Sequence, residues 1–172
     1  MPLFFASFLA AMQRFAPYLL DRLIDAAPED ATRPTLTLEQ LKDTVARDVE
    51  ALLNSRRGIA ADDVRGYAYA PRSVLAFGLD DFAACSMAST TDQAFICQAI
   101  ERAIGDHEPR LRNVRVQLNP REASKQSLKF TIRAMLQVHP MQAPVNFDAM
   151  LQTSTQQYAV TAARRPASET AP

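Results

Sequence analysis

The sequence predicts an α+β fold: N-terminal helices packed on one face of a small antiparallel β-sheet formed by the C-terminal half. Three observations predict it. Over residues 37–57, and again from about Ser89 to Gly105, apolar side chains recur at spacings of three and four, the period of a helix with one buried face. Beyond Gly105 the period changes to two, that of a strand with one buried and one exposed face. Helices first and strands later, without alternation, give an antiparallel sheet with its helices segregated to one side. A chain of 172 residues with 48% apolar side chains suits one such domain with tails.

Each element has its own signal. Met1–Met12 is the most apolar stretch, and Leu3, Phe4, Phe5, Phe8, Leu9, Met12 and Phe15 fall mostly on one helical face. No Lys or Arg precedes Arg14, so the basic flank of a secretory signal is missing. The run is also shorter than the roughly 20 residues a bilayer requires. Such a helix either packs on the domain or docks on a partner. Pro17 interrupts it, Tyr18–Ala26 reads as a second short helix, and Ala27–Leu36, with two prolines, reads as a loop.

Thr37 and Gln40 then form a capping box for the clearest helix, whose apolar line is Leu38, Leu41, Val45, Val49 and Leu52. Arg56, Arg57 and Gly58 suggest a cationic last turn with a left-handed glycine stop. Residues 59–88 are irregular, broken by Pro71 and Gly78. A helix carrying Ile96, Ile100 and Ile104 begins near Ser89 or Thr90 and ends at Gly105.

Val114, Val116 and Leu118 alternate with Arg115, Gln117 and Asn119, and the same alternation runs from Leu128 to Val138, so two strands follow, joined as a hairpin through Asn119–Ser127. Val145–Leu151 reads as a third strand and Tyr158–Thr161 as a short fourth. The expected organisation is an apolar helix over 1–16, one domain over 17–161, and a disordered tail over 162–172, which has no apolar side chain larger than alanine.

Charge narrows the function classes. Nineteen cations balance nineteen anions, whereas a nucleic-acid binder needs a basic excess for phosphate neutralisation. Two cysteines make no disulfide framework, which points to a reducing cytoplasm. Cys85, Cys97, His107 and His139 lack the close pairing a zinc site requires, so no metal or cofactor is expected. Asp62–Asp63 and Asp80–Asp81 are better explained as turn and cap residues than as an acid/base pair.

Seven cations (Arg110, Arg112, Arg115, Arg121, Lys125, Lys129 and Arg133) lie against one acid, Glu122. Alternation places Arg115, Lys129 and Arg133 on the polar face of the hairpin, and Arg121 and Lys125 in its connection. No aromatics interleave, so base stacking is absent, leaving a solvated face, a phosphate site or a face for an acidic protein. Glu108-Pro109-Arg110-Leu111 joins the last helix to the first strand. Pro109 stiffens the corner, where Glu108 and Arg110 could clamp each other or bind a partner's charges bidentately.

In order, the chain carries LLDRL from Leu19, VEALLNSR from Val49, SVLAFGLDD from Ser73, the Ala99–Ile104 helix end, the Glu108–Leu111 corner, the Val114-Arg115-Val116 strand, and Val145-Asn146-Phe147-Asp148. This series resembles the TssE family of type VI secretion baseplate subunits, within the T-even phage baseplate wedge proteins once labelled lysozyme-like. It covers about residues 19–160. Phe77 stands where Tyr is usual in the family and Asp80 where Pro is usual. The resemblance implies a non-enzymatic, cytoplasmic part of a bacterial baseplate near the inner membrane, joined to the wedge proteins TssF, TssG and TssK and serving as the platform for the TssB/TssC sheath. It implies that Glu108, Pro109 and Arg110 hold neighbouring wedge proteins, with the basic face of Arg115, Lys129 and Arg133 as a docking surface. It also suggests a bare sheet edge that pairs with sheath strands. The alternative implied by the old label is a peptidoglycan-cleaving enzyme. Neither nucleic acid nor membrane insertion is expected.

Overall fold

A computed structural model describes residues 14–18, 22–23, 35–64, 66–82, 85–86, 89–119, 127–139 and 141–163. The apolar segment at 1–13, most of the second predicted helix, most of the Ala27–Leu36 loop, the hairpin connection with Arg121 and Lys125, and residues 164–172 lie outside them. The chain divides into two compact units, 1–45 and 46–172, with the division inside the first long helix.

In the first unit, Phe15 and Leu36 exchange backbone hydrogen bonds of 2.8 and 2.7 Å, and Phe15 is buried. Of the predicted second helix, Arg22 and Leu23 are helical, with Arg22 N–H donating to the Tyr18 carbonyl. Helix α1 is Leu38–Asn54. Its capping box forms as the sequence predicts: Thr37 N–H donates to Gln40 Oε1 at 2.9 Å, and Gln40 N–H to Thr37 Oγ1 at 3.2 Å.

The second unit holds the rest of α1, the four-residue helix α2 (Ala61–Val64), two 3-10 turns at Ala70–Arg72 and Val74–Ala76, helix α3 (Thr90–His107) and four strands. These are β1 (Leu111–Leu118), β2 (Ser127–Val138), β3 (Met141–Gln152) and β4 (Gln157–Ala162), antiparallel throughout and in the order β1-β2-β3-β4. The class is therefore α+β. One sheet face is buried through Val116, Phe130, Ile132, Val145, Phe147, Tyr158 and Val160, and the alternate positions are mostly exposed. β3 begins four residues before the predicted strand because Pro144 is tolerated within it. Pro144 lies on the same side of β3 as Asn146, whose carbonyl accepts from Ala163 N–H, but β4 reaches only as far as Phe147. Among the described residues, no partner strand faces the missing N–H.

The predicted end of α1 is corrected in two respects. The helix stops at Asn54, before the arginines, and Gly58 does not adopt positive φ. A tertiary contact stops it instead: Arg56 and Leu79 form a parallel bridge, with Arg57 N–H on the Leu79 carbonyl and Leu79 N–H on the Ser55 carbonyl, both at 2.9 Å. That approach needs a glycine next door. Gly78 has φ +110°, and a Cβ there would lie 2.5 Å from the Ser55 carbonyl oxygen. The second predicted glycine stop also moves. Gly105 lies inside α3, which continues to His107 with Glu108 as its C-cap.

Candidate functional site

Three segments of that series, the VEALLNSR end of α1, the Ser73–Asp81 loop and the Glu108–Leu111 corner, meet in the second unit. The α1 end and the Ser73–Asp81 loop are tied through Ser55, Arg57 and Leu79. That loop reaches α3, where His107 Nε2 lies 3.0 Å from the Ala76 carbonyl oxygen and the Phe77 and His107 rings pack edge-on at 5.4 Å. The corner after α3 reaches back to α1. Arg110 Nε donates to Glu108 Oε1 at 2.6 Å, its Nη2 donates to Glu108 Oε2, and the same Nη2 donates to Asp48 Oδ2 at 2.6 Å.

Burial decides what these charges can do. Glu108 is 6% exposed, and the Arg110 side chain 12%. Burial alone would lower the Arg110 pKa, but the bonds it donates to Glu108 and then Asp48 outweigh it and hold the guanidinium above its ordinary value. The sequence leaves open whether Glu108 and Arg110 clamp each other or reach outward; here they clamp each other. Asp48, one helix away, is the third member, and no local sequence signal marks it. Pro109 is exposed at the tip of the corner.

On the sheet, Arg115 and Arg133 are both exposed and sit directly opposite each other on β1 and β2, whereas Lys129 is half-buried. Arg115 is 3.8 Å from Glu101.

The expected bare sheet edge is corrected, because a helix serves each edge strand. At the β4 edge, Asn54 Oδ1 accepts from Tyr158 N–H at 2.8 Å, its Nδ2 donates to the Tyr158 carbonyl at 2.9 Å, and Glu50 Oε2 accepts from Val160 N–H at 2.7 Å. At the β1 edge, Glu101 Oε1 accepts from Val116 N–H at 2.8 Å, and the Leu118 N–H bonds to the half-buried Cys97 thiol. Burial raises the pKa of that thiol, the Leu118 N–H opposes the rise, and Glu101 adds to it. Cys85 lines a small cavity of about 170 Å³ beside Tyr158, and His139 is exposed.

A one-faced sheet, helices tied into its edges and a charge-clamped corner make up the described part of the second unit. The model of the family described as Baseplate wedge protein gp25 matches residues 39–141, and the chain belongs to that family. The protein is thereby a phage-type baseplate component, whose kind associates with other baseplate subunits. No curated protein and no solved structure matches the chain. No helix among the described residues is long and apolar enough to cross a membrane.

Proposed function

We propose that this chain is the TssE-type subunit of a type VI secretion baseplate. It works in the bacterial cytoplasm near the inner membrane, docks on the wedge proteins TssF, TssG and TssK, and provides the platform on which the TssB/TssC sheath starts. The observation that carries the reading is the convergence of three motif segments. The α1 end, the Ser73–Asp81 loop and the Glu108–Leu111 corner, remote in sequence, are joined through Gly78, His107 and Arg110. In this reading Glu108, Pro109 and Arg110 shape the corner against a wedge neighbour, with Pro109 at the contact. Arg115, Lys129 and Arg133 present the hairpin face. Like charges directly opposite on neighbouring strands destabilise an isolated sheet, so an acidic partner surface over Arg115 and Arg133 relieves them. With both edges served by helix side chains, the sheath meets either that face or an edge whose cap has been released.

The test is co-purification of the tagged full chain from cells expressing all five candidate partners. Recovery of TssF, TssG and TssK is expected. A chain that comes out alone while those three still bind one another would sink the proposal. The role is structural, and sustained release of peptidoglycan fragments by the pure chain would overturn that part.

A further inference from the structure

We infer that the groove between α3 and the start of β1 is a docking site for an acidic, extended peptide segment of a partner protein. The inference rests on the reading of the chain as a docking subunit and adds a site beside the corner, whose Leu111 borders the groove. The groove encloses about 510 Å³. Its helical wall is Gln98, Glu101, Arg102 and Gly105, the i, i+3, i+4, i+7 face of α3.

Its strand wall is built by a β-bulge. Register with β2 runs through Arg112↔Met135 and resumes at Arg115↔Arg133, so Asn113 and Val114 together oppose one residue. Asn113 takes φ 53°, a left-handed conformation unusual for a non-glycine residue, and it is exposed in the groove beside Arg112. Bulges bend a strand and re-aim its side chains, and here the re-aimed chain lines an open cleft.

Charge selects the occupant. Among the described residues, Arg102 stands on one wall and Arg112 and Arg115 on the other, against one acid, Glu101. Glu101 is already engaged, by Val116 N–H and by Arg115. Arginine forks on facing walls suit carboxylates, which they bind bidentately. Among the described residues no aromatic side chain lines the groove, so they offer a nucleic acid no stacking platform.

Gly105 is the independent observation. Glycine inside a helix is less favourable than alanine, and this one has neither positive φ nor a crowded neighbour. A Cβ there would meet nothing within 4 Å. The described residues of the chain give no reason for the missing side chain, whereas a partner backbone lying along the groove does.

The experiment titrates the isotope-labelled full chain with a capped octapeptide of alternating Glu and Val, following backbone amide shifts. Saturable shifts over 98–105 and 112–115 are expected, with affinity falling at least tenfold in Arg112→Glu and in Gly105→Met. Gly105→Ala should raise the melting temperature by about 2–4 °C. A lower melting temperature in that variant would show an internal role for the glycine and overturn the inference. So would shifts confined to other residues, or tighter binding of a duplex DNA dodecamer in the groove. Gly105→Met that still co-purifies normally with the wedge proteins overturns the groove alone. A wild-type chain that never co-purifies overturns the docking function instead.

Discussion

Arg110 illustrates how burial turns a surface motif into a structural one. An exposed ion pair contributes about 0–1 kcal/mol, but removing one member of a buried cluster strands the others and costs about 3–5 kcal/mol. Arg110→Ala would leave Glu108, 6% exposed, without its counter-charge. We expect that variant to lose about 3–5 kcal/mol by chemical denaturation. Arg110→Lys should recover little of it, because one ammonium cannot reproduce the paired Nε and Nη2 bonds to both Glu108 oxygens while also holding Asp48. A variant as stable as wild type would place the arginine's role outside the fold.

Tyr158 makes the opposite kind of demand. Its hydroxyl is buried without a hydrogen-bond partner among the described residues. Burial raises its pKa from 10.0 to about 12, opposed by the charge of Arg56 and assisted by Cys97. The folded chain therefore holds the proton more tightly than the unfolded chain. Its contribution is complete below pH 10 and is lost as pH rises through about 12. Melting temperature should fall over that window more steeply in wild type than in Tyr158→Phe. At neutral pH the Phe variant should melt no lower, since the orphaned hydroxyl goes with it. Equal alkaline slopes would refute the assignment.

Among the elements, the edge caps follow from two repeat lengths. Four residues of helix rise about 6 Å. Two residues of strand rise about 6.7 Å. One helical turn can therefore place two side chains on successive outward N–H groups of a strand running the other way. Glu50 and Asn54 do this for Val160 and Tyr158, and Cys97 and Glu101 for Leu118 and Val116. Asn54→Ala removes both of that residue's bonds to Tyr158 and should cost about 1–3 kcal/mol. It should also raise concentration-dependent association, because an unpaired strand edge recruits another. Light scattering and thermal melting check both effects, and an unchanged monomer would show the cap to be dispensable.

These caps also mark where legibility in the sequence ends. Strand alternation, the Thr37–Gln40 box and the isoleucine line of α3 are local, and each forms as its spacing predicts. Gly58 misleads because Leu79, over twenty residues later, captures the chain before a glycine stop is needed. Asp48 and Asn54 look like ordinary polar helix residues, since their partners lie 62 and 104 residues away.

For the molecule as a whole, the two edges are closed over very different lengths of chain. Glu101 finds Val116 across 15 residues, whereas Asn54 finds Tyr158 across 104 and Glu50 finds Val160 across 110. The entropy lost in joining two points grows with the chain between them, so the near closure has the smaller barrier. If folding keeps pace with synthesis, the β1 edge closes on residues already made, while Glu50 and Asn54 wait for β4 to emerge. Until then the nascent protein carries an open sheet margin and two helix groups without acceptors or donors. Pulse-labelled hydrogen exchange during refolding should therefore find the Val116 amide protected before those of Tyr158 and Val160; simultaneous protection would show that both margins close in one step.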